Sequence, residues 1–114
     1  MSLLLQSRLK LAPTVFAGVL ALHPMVARAV EIVGASSCGQ WVADRSTDRD
    51  EYVTTWLVGY LSGKAVATGK NFLKNTDNKS VYLWMDNYCR SNPLRHISDG
   101  ADDLAIELIR MKKL

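Results

Sequence analysis

The chain has 114 residues, 48% of them hydrophobic and 22% charged, with a formal charge of +3 and two cysteines, Cys38 and Cys89. That is enough for one small domain, and it disfavours a thiol metal centre, because neither cysteine has a second cysteine or a histidine at ligand spacing. The positive balance comes from the N-terminus: Arg8, Lys10 and Arg28 supply three of the 14 basic residues and none of the 11 acidic ones, so the remaining 11 bases are matched and neither a nucleic-acid nor an anionic-membrane partner is indicated.

The N-terminus reads as an export signal spanning 1–29. Arg8 and Lys10 precede an apolar run from Leu11 to Leu22, broken only by Pro13, and Pro24 and Ala27-Arg28-Ala29 follow. This is the basic, apolar, small-residue order of a cleavable leader. The run is well short of the roughly 20 residues that cross a bilayer, so cleavage after Ala29 is expected in preference to an uncleaved anchor. Residues 30–114 then form a single domain that does not span a membrane, in an oxidising, periplasmic compartment. A domain of that size only marginally offsets its chain entropy. A Cys38–Cys89 disulfide, closing a loop of about 50 residues, would contribute roughly 4 kcal/mol by the chain-entropy model.

Helical patterns follow in order. Ser36 or Ser37 suits the cap of a short segment with Cys38, Trp41 and Val42 on one side. Thr47 or Asp48, three residues before Asp50 or Glu51, suits a capping box, after which Val53, Trp56, Leu57, Tyr60 and Leu61 make one apolar face. Gly59 predicts a close helix–helix approach, and Ser62-Gly63 an end or loosening of the helix. A third pattern starts between Asp77 and Ser80 and runs to Asn92-Pro93, with Tyr82, Met85 and Cys89 inward, Trp84 at the edge, and Leu83, Asn87 and Arg90 on the opposite side. The last is expected to take Asn92 as cap, Pro93 in its first turn, and Leu94, Ile97, Ala101, Leu104, Ala105, Leu108 and Ile109 in the core. The fold expected is all-α, a small bundle of four to five helices with one disulfide.

Catalytic chemistry is thin. His96 is the only histidine left once the leader is removed, and one imidazole with two paired cysteines assembles neither a triad nor a metal site. A non-catalytic protein without metal or cofactor is therefore expected. Asp99, Asp102 and Asp103 read as a solvated polar face. Gly59 to Lys64 lacks the spacing of a phosphate loop, and Asn78-Lys79-Ser80 matches a glycosylation sequon. The stretch from Ser62 to Lys79, with a short helix around Lys70 to Leu73, carries Lys64, Lys70, Lys74 and Lys79 against Asp77 alone. Such a connection would steer towards an acidic protein partner. With Leu83, Asn87 and Arg90 these lysines make up the candidate partner-binding set.

Three segments, Cys38-Gly39-Gln40-Trp41, Trp56 to Gly63 and Tyr82 to Leu94, resemble the small exported immunity proteins of the Rap/Tai type, over nearly the whole of residues 30–114. The resemblance implies a disulfide-bonded helical domain, a tendency to homodimerise, and neutralisation of a peptidoglycan amidase toxin of type VI secretion by occlusion of its active site. A second likeness, in the Cys89 segment with Asn92-Pro93 and in the Cys-to-Cys span, is to the HdeA/HdeB acid-stress chaperones of the periplasm. It implies the alternative function, acid-activated protection of client proteins.

Overall fold

Ser37 starts the first helix: its hydroxyl accepts the Gln40 N–H at 3.1 Å, satisfying a donor that the first turn leaves without an intrahelical partner. In the computed structural model, which describes residues 30–114, this helix, α1, spans Cys38–Ser46 and buries Cys38 and Trp41, while Val42 is partly exposed. The expected leader, 1–29, lies outside the described residues. Three more helices follow: α2 at Glu51–Thr68, α3 at Asn78–Ser91 and α4 at Ile97–Met111. Among the described residues the fold is all-α, with no strand and one isolated bridge, Ser37 to His96.

Helix α2 differs from the sequence expectation at both ends. Its N-cap is Asp50 rather than Thr47 or Asp48, and the Asp50 side chain makes no capping bond because it is taken by Arg45. Thr47 instead closes α1, its hydroxyl donating to the Ala43 carbonyl. At the other end Ser62-Gly63 does not break the helix. The Ser62 hydroxyl donates back to the Val58 carbonyl at 2.6 Å, and the chain stays helical to Thr68. What stops it is Gly69, in the left-handed region at φ 67°, whose N–H bonds the Val66 carbonyl. The connection to α3 is accordingly short, Gly69 to Asp77, and holds turns at 72–75 instead of a helix at Lys70 to Leu73.

Asp77 caps α3, accepting from the Ser80 N–H at 2.9 Å, and Asn92 closes it, its side-chain amide donating to the Tyr88 carbonyl. Asn92 and Pro93 therefore end one helix without starting the next. Helix α4 begins at Ile97, Leu94 is 94% exposed instead of buried, and Asp99 accepts the His96 N–H. Backbone bonds from Cys38 N–H to the Arg95 carbonyl and from Ile97 N–H to the Ser36 carbonyl bring the starts of α1 and α4 together.

Helix α2 packs on α4, α1 on α3, and α3 on α4. Their shared core is Trp41, Val53, Leu57, Leu61, Phe72, Val81, Met85, Ile97, Ala101, Leu104, Ala105 and Leu108 around the Cys38–Cys89 bond. Each fully buried side chain of this size contributes about 1.5–3 kcal/mol. The close helix approach expected at Gly59 is elsewhere. A β-carbon at Gly59 would meet nothing within 4 Å, whereas one at Gly100 would lie 2.7 Å from both Met85 Sδ and Tyr88 Cδ1.

Gly100→Ala is therefore expected to destabilise the fold by about 1–3 kcal/mol through overpacking, and Gly59→Ala to stabilise it by up to about 1 kcal/mol through helix propensity. Denaturant midpoints measure both. Equal effects would contradict the placement of the α3–α4 contact at Gly100.

Candidate functional site

Two sides of α3 carry different work. At 100° per residue, Val81, Met85 and Cys89 point into the core, Tyr82 and Asp86 turn towards α1, Trp84 and Tyr88 towards α4, and Leu83, Asn87 and Arg90 outward. On the α1 side, Cys89 is bonded to Cys38, with both residues fully buried. One turn earlier in α3, Asp86 accepts the Trp41 indole N–H at 2.8 Å and a two-pronged bond from Arg45, Nε at 3.0 Å and Nη2 at 2.9 Å. The third edge of the guanidinium reaches Asp50 at 2.9 Å, and its plane lies within 6 Å of the Trp41 and Tyr82 rings.

Burial pushes the Asp86 carboxyl up, but the hydrogen bonds from Arg45 and Trp41, with the guanidinium charge, more than reverse this and leave it below the usual range. The same bonds to Asp86 and Asp50 raise Arg45. On the α4 side, Trp84 stacks on Tyr88 at 5.5 Å and donates its N–H to Glu107 at 2.8 Å. A tryptophan at the edge of a buried stripe thus finds a polar partner on the neighbouring helix.

The outward residues Leu83, Asn87 and Arg90 share one exposed face, as their spacing predicts. Leu83 is 58% exposed, and Arg90 Nη1 donates to Asn87 Oδ1 at 3.4 Å. The four lysines do not stay together. Lys64 belongs to α2, where it pairs with Asp102 at 2.9 Å and lies over the Tyr60 ring, so it is not part of a loop. Lys70 and Lys74, in the connection, and Lys79, in the first turn of α3, are exposed.

The carboxylates of α4 are only in part a solvated face. Asp102 accepts the Tyr60 hydroxyl at 2.7 Å, and burial followed by this bond pushes that hydroxyl up to about 12. Asp99, Asp102 and Asp103 line a polar cleft of about 230 Å³ with Tyr88, Asn92 and Arg95. Burial and the Asp103 and Asp99 charges raise the Tyr88 hydroxyl there. Among the described residues, no three His, Cys, Asp or Glu side chains are placed to hold a metal ion, and no helix is long and apolar enough to cross a membrane.

Two sets of contacts, those of Trp41 and of Lys112, were missed from sequence. Trp41 on a buried face needs an acceptor for its N–H, and Asp86, one position from the inward Met85, was the available signal. Lys112 lies at the C-terminal end of α4, where a basic residue suits the helix dipole. Its ammonium instead bonds the Phe72 carbonyl at 2.6 Å, the Thr76 hydroxyl at 2.7 Å and the Lys74 carbonyl. Nothing in the local pattern distinguishes that lysine from Lys113.

No family model matches the chain, and neither a curated protein nor a solved structure does.

Asp86 is depressed in the fold and near 3.9 when unfolded. Its stabilisation is thus complete above about pH 4 and is lost as pH falls through the folded value. Asp86→Asn is expected to cost about 2–3 kcal/mol at pH 7 and to lose less further stability on acidification than the wild type. Denaturation at pH 7, 4 and 2.5 checks both. Parallel losses in the two proteins would contradict the role given to this carboxylate.

Proposed function

We propose that residues 30–114 form a non-catalytic binding protein of the periplasm, which protects the cell by covering the active site of a peptidoglycan amidase. The observation that carries this reading is the outward face of α3. Leu83, Asn87 and Arg90 are presented there on a helix whose other sides are fixed by the Cys38–Cys89 bond, by Asp86 and by Trp84. A rigid helix face loses little freedom when a partner covers it. An exposed leucine beside an arginine supplies an apolar anchor and a directional cation, of which arginine is enriched at the energetic centres of interfaces.

Further support comes from how the reactive groups are used. Both sulfurs are joined and buried, Asp86 is held by Arg45 and Trp41, and Asp102 is held by Lys64 and Tyr60. Each serves the fold, which leaves the surface to act. The export pattern of 1–29 and the disulfide both favour an oxidising compartment. The acid-activated chaperone reading asks the domain to open as carboxylates protonate. A depressed Asp86 delays that opening and a disulfide limits it.

Deleting the gene is expected to sensitise cells to a peptidoglycan amidase delivered to that compartment, and wild-type protein to restore resistance. A folded Leu83→Asp/Arg90→Glu double variant is expected to bind the amidase at least about 30-fold more weakly, the equivalent of a ~2 kcal/mol hot spot, and to fail in rescue. Unaltered sensitivity after deletion would contradict the function. Full rescue by the double variant would contradict the assignment to α3.

A further inference from the structure

The neutral balance of residues 30–114 conceals a separation of charge. Six of their 11 basic side chains belong to two segments, Lys70, Lys74 and Lys79 in one and Arg110, Lys112 and Lys113 in the other. The Lys112 ammonium, bonded to Phe72, Lys74 and Thr76, joins these segments at one end of the bundle. There the last turn of α2, the first turn of α3 and the last turn of α4 meet. The only acidic side chain in either segment is Asp77, whose carboxylate is taken by the Ser80 N–H and hydroxyl.

This end is also shaped in advance. Phe72 is fully buried and anchors the connection from below. Gly69 and Asn75 turn it through the left-handed region, and the Leu114 N–H bonds the Ile109 carbonyl to fix the tail. Apolar side chains of the same helix ends and tail are exposed among the described residues: Val66 is 84% exposed, Met111 67% and Leu114 49%.

We propose that this end is a peripheral docking surface for a membrane rich in anionic lipid headgroups. With the Lys112 ammonium held by the connection, four of the remaining five cations are lysines. Lysine is a compact point charge on a flexible stem, suited to a diffuse anionic layer, whereas interfaces between proteins are enriched in arginine and depleted in lysine. Lysine stems can lie along an apolar surface while the ammonium groups stay in water. Met111, Leu114 and Val66 would then enter the headgroup boundary while the lysines meet the phosphates. Lys70, Lys74 and Lys79, expected from sequence to meet an acidic protein, are here given to lipid. The proposal uses residues other than Leu83, Asn87 and Arg90 and stands without the amidase reading.

Co-sedimentation of the full chain with vesicles tests it, comparing equimolar phosphatidylglycerol and phosphatidylcholine against phosphatidylcholine alone. Residues 1–29, with Arg8, Lys10 and Arg28, themselves favour anionic vesicles, but they are present in every variant, so comparison between variants isolates the end of the bundle. The wild type is expected to partition onto the anionic vesicles at least about tenfold more strongly at low salt, and to lose this preference in 0.5 M sodium chloride. Lys70→Glu/Lys74→Glu should reduce the preference at least about tenfold. Arg49→Glu/Arg95→Glu, the same change in net charge at exposed residues elsewhere, should reduce it less than about twofold. Met111→Ser should weaken binding to anionic vesicles about threefold, with circular dichroism confirming that each variant is folded. Equal partitioning of the wild type onto both vesicles would overturn the proposal and leave the lysines to an acidic protein. An equal effect of the two double variants would overturn the assignment to this end of the bundle.

Discussion

The joint between α1 and α3 is the constraint on which the rest of the structure depends. A nine-residue helix has no stability of its own in water, and α1 carries Trp41, one of the largest fully buried side chains of the core. It is held at its first residue by the covalent Cys38–Cys89 bond and near its end by Arg45 on Asp86, with the Trp41 N–H on the same carboxylate between them. The bond spans 51 residues of sequence and removes about 4 kcal/mol of chain entropy from the unfolded ensemble. That is a large fraction of the 5–15 kcal/mol typical of a whole domain. The carboxylate adds direction, because three hydrogen bonds from two side chains fix the rotation of α1 about its axis as well as its distance from α3.

The same economy governs the other charged groups. Asp50, Asp86 and Asp102 neutralise Arg45 and Lys64 inside the fold, and Lys112 satisfies oxygen atoms of the connection between α2 and α3. Lys64 and Asp102 form an exposed pair of the kind that contributes little, whereas Arg45 is two-pronged and partly shielded, and Lys112 meets three acceptors. Once these internal partners are assigned, the charge left over is uneven. Lysines remain at the end where Gly69 to Asp77 meets the tail of α4, and acids remain around Asp99 and Asp103. A domain with no net charge can thus carry distinct local fields.

Periodic features were readable from sequence and non-periodic ones were not. Met85 and Cys89 of the inward set of α3, the outward set Leu83, Asn87 and Arg90, and the pairing of two cysteines in a small domain follow from spacing and count alone, whereas the third inward position is Val81 and Tyr82 turns towards α1. Helix ends were less secure. Ser62-Gly63 resembles a stop, but each residue there loses only a fraction of what the continuing turns return, and the stop belongs to Gly69, where the backbone needs a positive φ. Asn92-Pro93 carries both an ending and a beginning in its composition, and only the tertiary bonds of Cys38 and Ile97 to the Arg95 and Ser36 carbonyls decide between them. Long-range polar contacts were the least readable. Asp86, Asp102 and Lys112 have the same local appearance as solvated neighbours, and their roles depend on residues about 40 positions away.

The most direct measurement is a thiol count on the folded protein, coupled to a melting curve with and without reductant. No reactive thiol is expected before reduction, even in denaturant, two after it, and a markedly lower melting temperature once the Cys38–Cys89 bond is opened. Two thiols titrating while the protein is fully folded, or a melting temperature indifferent to reductant, would contradict this.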